Sequence, residues 1–184
     1  LTADYIAYHA TERPKAIAVV HDGRPITYAE FSRDIDKFAR TLRAFDLPPG
    51  SFVAVGCDDF YVHWLLLLAL EQLRIASATL QSREGPSALS LLASTDMVLS
   101  EHAYPGGAGR RHQLITPAWV QDVFALAERN EDFRLPKAPA DTVRILRTSG
   151  TTGASKRLRF LAVSSRLARA RTSGAWSSPT VRAA

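Results

Sequence analysis

Apolar residues recur along this chain at two periods, two residues in some stretches and close to 3.6 in others, and the alternation predicts strands interleaved with helices. Residues 1–14, ending in Glu12-Arg13-Pro14, predict a short opening helix with Tyr5, Ile6 and Tyr8 as its contacts. Residues 16–21 read as a strand and residues 24–27 as its return. Asp22-Gly23 between them is a strong hairpin signal, because both residues tolerate positive φ. Pro25 confines its strand to a sheet edge or a strand start. Thr27-x-x-Glu30 is a capping box, and Phe31, Ile35, Phe38, Leu42 and Phe45 then form one apolar helical face.

Pro48-Pro49-Gly50 stops that helix, and residues 51–57 predict a buried strand. Asp58-Asp59 suits a cap for a second helix running through Trp64 and Leu67 to about Leu73. A strand follows at residues 75–80. Residues 85–112 read as a helix with Pro86 in its first turn, followed by Leu89, Leu91 and Leu92, then a strand at Met97-Val98-Leu99, then a loop. Within that loop the glycine-rich stretch at residues 105–109 is taken as a solvent turn. Thr116-Pro117 opens a helix carrying Trp119, Val120, Val123, Phe124 and Leu126, and residues 143–147 predict a last strand. Strands and helices alternating at this pace imply an α/β fold with a mostly parallel sheet flanked by helices.

Composition narrows the class. The chain has 184 residues and a 46% apolar fraction, enough for one domain with a real core. Its single cysteine, Cys57, excludes an intrachain disulfide and any multi-cysteine metal site, in keeping with a cytoplasmic setting. The longest apolar run, at residues 64–70, is far short of the ~20 residues that span a membrane. No membrane partner is expected. The net charge is +5, but residues 1–156 hold 17 basic and 18 acidic side chains, while residues 157–184 hold six arginines and no acid. The body therefore has no electrostatic footprint for a phosphate backbone, and a nucleic-acid partner is not expected. Histidines 9, 21, 63, 102 and 112 have no metal-ligand spacing in the sequence, Asp58 and Asp59 read as a cap rather than a catalytic pair, and Cys57 reads as inert packing.

The chemistry concentrates in Thr148-Ser149-Gly150-Thr151-Thr152-Gly153-Ala154-Ser155-Lys156, directly after the last strand. Hydroxyls and unhindered backbone N–H groups donate hydrogen bonds, glycine lets the backbone close around a ligand, and lysine adds a positive charge. That combination suits a polyphosphate. It is not an ordinary P-loop, which needs G-x-x-x-x-G-K-[ST]. Here the glycines are three apart, and Arg157 follows the lysine where a magnesium-binding Ser or Thr would stand.

The stretch closely resembles the signature loop of the adenylate-forming superfamily, [ST]-S-G-T-T-G-x-P-K-G. Thr148, Ser149, Gly150, Thr151, Thr152, Gly153 and Lys156 match, while Ser155 replaces the usual proline and Arg157 the usual glycine. Upstream, Thr27-Tyr28-Ala29-Glu30-Phe31 fits the family's T-Y-x-E-[LF] helix start, and residues 50–55 fit its G-x-x-V-A-[IV] strand. The next family element fits less well. Leu68-Ala69 and Ala76 align, but Arg74 and Ile75 stand at its glycines and Thr79 at its proline.

The resemblance implies a partial N-terminal subdomain, residues 1–156, ending at the phosphate loop. It implies ATP with Mg2+, activation of a carboxylate to an acyl-adenylate, and transfer to coenzyme A or a carrier pantetheine, as in acyl-CoA synthetases. No magnesium ligand and no carboxylate pocket is visible, and the family's adenine, ribose and C-terminal lysine motifs are not matched. The chain is therefore expected to be inactive alone, a truncated or frameshifted synthetase. The alternatives are a non-enzymatic nucleotide-binding or interaction module and a polynucleotide binder acting through its arginines. Arg, Ala and Ser make up 17 of residues 157–184, so that tail is expected to be disordered or poorly packed.

Overall fold

The computed structural model describes residues 2–48, 50–80, 91–103 and 111–128, and the backbone of residues 142–147 and 157–161. The elements are α1 (Thr2–Glu12), β1 (Ile17–His21), β2 (Arg24–Thr27), α2 (Tyr28–Arg43), β3 (Phe52–Gly56), α3 (Phe60–Gln72), β4 (Ala76–Thr79), β5 (Met97–Ser100), β6 (Arg111–Leu114), α4 (Pro117–Phe124), β7 (Thr142–Arg147) and β8 (Arg157–Leu161).

Six strands form one sheet in the order β6-β5-β3-β4-β7-β8, and every neighbouring pair is parallel except β7 with β8. The architecture is α/β with a mostly parallel sheet flanked by helices. All five residues of β3 are buried, as expected of a central parallel strand covered on both faces. Its alternation divides the core. Val53 and Val55 join Met97 and Leu99 under α2 and α3, while Phe52 and Ala54 join Ala78, Leu80, Leu91, Leu92 and Val98 on the opposite face. Ten of the thirteen residues of α3 are buried, because the helix lies between the sheet and the pair α1 and α2.

β1 and β2 form a separate two-stranded antiparallel sheet, turning at Asp22 (φ 48°) and Gly23 (φ 75°), the positive pair a tight hairpin needs. The capping box of α2 is complete. Thr27 Oγ1 accepts from the amide of Glu30 at 3.2 Å, and Glu30 Oε2 accepts from the amide of Thr27 at 2.8 Å. Phe31, Ile35, Phe38 and Leu42 are buried, whereas Phe45 lies past the helix end at Arg43 and is half-buried.

The structure corrects several details of the sequence reading. In α1 the packed face is Ala3, Ile6 and His9, and Tyr5 and Tyr8 are 58% and 59% exposed. Their rings pack edge-on against His9, so they shield the helix rather than seat it. The loop expected up to residue 112 gives way at Arg111 to strand β6, whose Arg111-His112-Gln113-Leu114 has no apolar face. Among the described residues it is an edge strand, pairing with β5 alone. Leu126 lies beyond the end of α4. Residues 157–161, expected to begin the unstructured tail, form β8 against β7. Of the helix expected after residue 85, only Leu91 and Leu92 are among the described residues, and the glycine-rich residues 105–109 and the tail from residue 162 lie outside them.

Candidate functional site

Thr148, Ser149, Gly150, Thr151, Thr152, Gly153 and Lys156 all lie outside the described residues, but the strands on either side of them are placed. β7 runs parallel to β4, with Ser77 opposite Arg144. β8 returns antiparallel, and the pair Arg147 and Arg157 closes the ladder next to the nine intervening residues. The loop sequence therefore connects two paired strands. It leaves β7 at the carboxyl edge of the parallel strands, where open α/β sheets bind their ligands.

The carboxyl edge carries further polar side chains. Asp59 caps α3, its Oδ1 accepting from the amide of Val62 at 2.9 Å, as the sequence implied. His63, one turn along α3, meets Thr79 Oγ1 at 3.1 Å, at the end of the strand that pairs with β7. Thr79, which the resemblance sets at a proline position, here offers a hydroxyl that pairs with an imidazole. His21 stacks on Tyr61 and stands 3.6 Å from Asp59. Tyr61 donates to Asp34 Oδ2 at 2.7 Å; burial first, then that carboxylate, pushes the phenol pKa up.

A second group sits where β3 and β5 end. Cys57 Sγ donates to Glu101 Oε1 at 2.9 Å, and the amide of Asp58 donates to Glu101 Oε2 at 3.1 Å. Burial, then hydrogen bonding to Glu101, pushes the Cys57 thiol pKa well up. His102 Nε2 lies 3.9 Å from Asp58 Oδ2. Sequence reasoning missed this group, because Asp58 and Glu101, 43 positions apart, are brought together by parallel strands and no local spacing announces it.

A model of the AMP-binding enzyme family matches residues 6–158. The chain belongs to that family. Among relatives, it is 34% identical over 149 residues to feruloyl-CoA synthase of Amycolatopsis sp, covering 78% of this chain and 30% of that protein. It is 32% identical over 151 residues to surfactin synthase subunit 2 of Bacillus subtilis (strain 168), covering 80% of this chain and 4% of that protein. Among solved structures, the N-terminal subdomain of Klebsiella oxytoca NpsA in complex with 3-hydroxybenzoyl-AMSN superposes with a TM-score of 0.69 at 25% identity. That match covers 85% of this chain and 40% of the NpsA subdomain chain. The chain thus spans less than half of each of these relatives, and its family match takes in the whole of β7 and the loop sequence.

Among the described residues, no helix is long and apolar enough to cross a membrane.

Proposed function

We propose that this chain carries the phosphate-binding part of an enzyme that activates a carboxylate with ATP. In that reaction a carboxylate oxygen attacks the α-phosphorus, the bond to the bridging oxygen of the β-phosphate breaks, and pyrophosphate leaves. The hydroxyls of Thr148, Ser149, Thr151 and Thr152, the open backbone at Gly150 and Gly153, and the Lys156 ammonium would hold the β- and γ-phosphates. They would offset the charge that develops on the leaving group. Mg2+ would arrive with ATP as part of the substrate.

The single observation that carries this reading is the loop sequence itself, standing between two paired strands and inside the family match. A thiol would then attack the acyl carbon of the acyl-adenylate, breaking its bond to the phosphate oxygen, to give a thioester and release AMP. Feruloyl-CoA synthase, by its name, makes a coenzyme A thioester, and coenzyme A and a carrier pantetheine present the same thiol chemistry. An acyl-CoA synthetase type of activity is therefore the finer form of the proposal.

The test is equilibrium binding of ATP with Mg2+ to the full 184-residue chain, beside a pyrophosphate-release assay. Saturable binding that weakens at least about tenfold in Lys156→Met, a loss on the scale of one charge-assisted contact, is the expected result. No pyrophosphate release from the chain alone is expected. Binding unchanged in Lys156→Met would overturn the loop assignment. Binding without turnover, persisting when a chain carrying the remainder of a synthetase is added, would favour a nucleotide-binding module over an enzyme.

A further inference from the structure

Strand order makes a point of divergence on the carboxyl edge beside β3, away from β7. β3 leads through α3 to β4 on one side, while β5, on the other side of β3, leads on to β6 further away. The chain leaves the carboxyl ends of β3 and β5 in opposite directions, and such a divergence is where open α/β sheets form ligand crevices. Two strands separate β5 from β7, so at roughly 4.8 Å per step this point lies on the order of 14 Å from the root of the phosphate loop along the same edge.

Asp58 leaves β3 at this point, and Glu101 and His102 leave β5. One ligand atom from each of the three lies within 4.8 Å of the others. The frame behind them is held. The Glu101 amide donates to Gly56 O at 3.0 Å, and the buried Ser100 hydroxyl donates to the carbonyl of His102 at 2.6 Å. Glu101 receives one donor on each oxygen, and a carboxylate oxygen accepts twice, so both retain a lone pair. The Asp58 and His102 side chains are 64% and 66% exposed, free to close on a bound ion. Tetrahedral coordination at ~2.0–2.1 Å sets ligand atoms roughly 3.3 Å apart, so closure requires movement of about an ångström.

We propose that Asp58, Glu101 and His102 form a site for a borderline divalent transition cation of the zinc class at the divergence of β3 and β5, separate from the nucleotide. One imidazole with two carboxylates selects this class: calcium and magnesium prefer oxygen alone, and copper(I) prefers sulfur. Cys57 Sγ stands behind Glu101 at 2.9 Å from Oε1 and orients it, the part played by a hydrogen-bonded partner of a ligating carboxylate. The site does not depend on the phosphate-loop assignment.

The experiment titrates the full chain with Co2+ in the absence of nucleotide, reading the visible absorption of the bound ion and its displacement by Zn2+. One ion per chain is expected, with affinity reduced at least about tenfold in Asp58→Asn and in His102→Ala. Both residues are exposed, so both variants are expected to unfold at the wild-type temperature in the metal-free state. Added Zn2+ is expected to raise the unfolding temperature of the wild type and not of the Asp58→Asn/His102→Ala double variant. Equal binding by the double variant, or no saturation of the wild type by about 1 mM cation, would overturn the proposal.

Discussion

The thiol of Cys57 donates to Oε1 of Glu101 across 2.9 Å and so ties the carboxyl end of β3 to that of β5. The contact joins two parallel neighbours just past their last paired residues, Gly56 and Ser100. Burial and the adjacent carboxylate both disfavour a thiolate, and the thiolate is the reactive form. Cys57 in the native chain is therefore expected to react with a disulfide reagent at least about tenfold more slowly than in the urea-unfolded chain at the same pH. Equal rates in the two states would show that the hydrogen bond does not persist in solution.

The capping box at the start of α2 gives a second expectation. Thr27→Ala removes the acceptor for the Glu30 amide and is expected to lower unfolding free energy by about 1 kcal/mol. The Glu30 carboxyl is held below its ordinary range, first by the Thr27 amide and then by the Thr27 hydroxyl. Its contribution is therefore fully present above the ordinary glutamate value, about 4.3, and is lost as pH falls through the lower folded value. Urea unfolding of wild type and Glu30→Gln should differ at neutral pH and converge in acid; a constant difference would count against the assignment.

Asp34 and Asp36 run the other way. Both carboxyls are pushed up, by burial first, against the opposing hydrogen bonds from Tyr61 and from Gln72. The native state then holds these protons more tightly than the unfolded chain does. Stability from this source is present below the ordinary aspartate value, about 3.9, and declines as pH rises through the folded value. Asp34→Asn keeps an acceptor for Tyr61 and removes the charge, so its advantage over wild type should grow with pH through that window and then level off. A pH-independent difference would sink this account.

Lys37 reaches from α2 to the last carbonyl of α4, with Nζ donating to Phe124 O at 2.7 Å, while Arg40 donates to Ala127 O at 2.8 Å. A cation at a helix carboxyl end meets the negative pole of the helix and its unpaired carbonyls. Lys37→Met retains the aliphatic stem and is expected to cost about 1–2 kcal/mol. The urea midpoint should fall with an unchanged slope; an unchanged midpoint would mean that solvent serves Phe124 O equally well.

Much of this architecture was legible from local rules. The Asp22-Gly23 turn, the Thr27–Glu30 box, the 3.6-residue face of α2 and the Asp59 and Thr116 caps each depend on residues a few positions apart. A continuous run of small and apolar residues likewise marked β3 as a buried strand. Strand β6 escaped because an edge strand need not be apolar. Tyr5 and Tyr8 misled because aromatic residues usually bury, whereas here the smaller Ala3 and Ile6 make the seat of α1. The phosphate-loop sequence was legible as a motif, and its setting between β7 and β8 needed the fold. The group formed by Asp58, Glu101 and His102 was invisible to spacing, because sheet order alone joins residues so far apart in sequence.

The attachment of β7 to β4 has a consequence for how this chain could be rebuilt. Among the described strands, β4 is the sheet's only link between the body and the β7–β8 pair that flanks the loop sequence. The β7–β8 pair is thus a cassette clipped to a rim. Loop variants could be exchanged on a constant chassis, or the clip supplied as a separate peptide. The same rim, left bare, would offer a row of unpaired backbone donors and acceptors on which a second copy could zip.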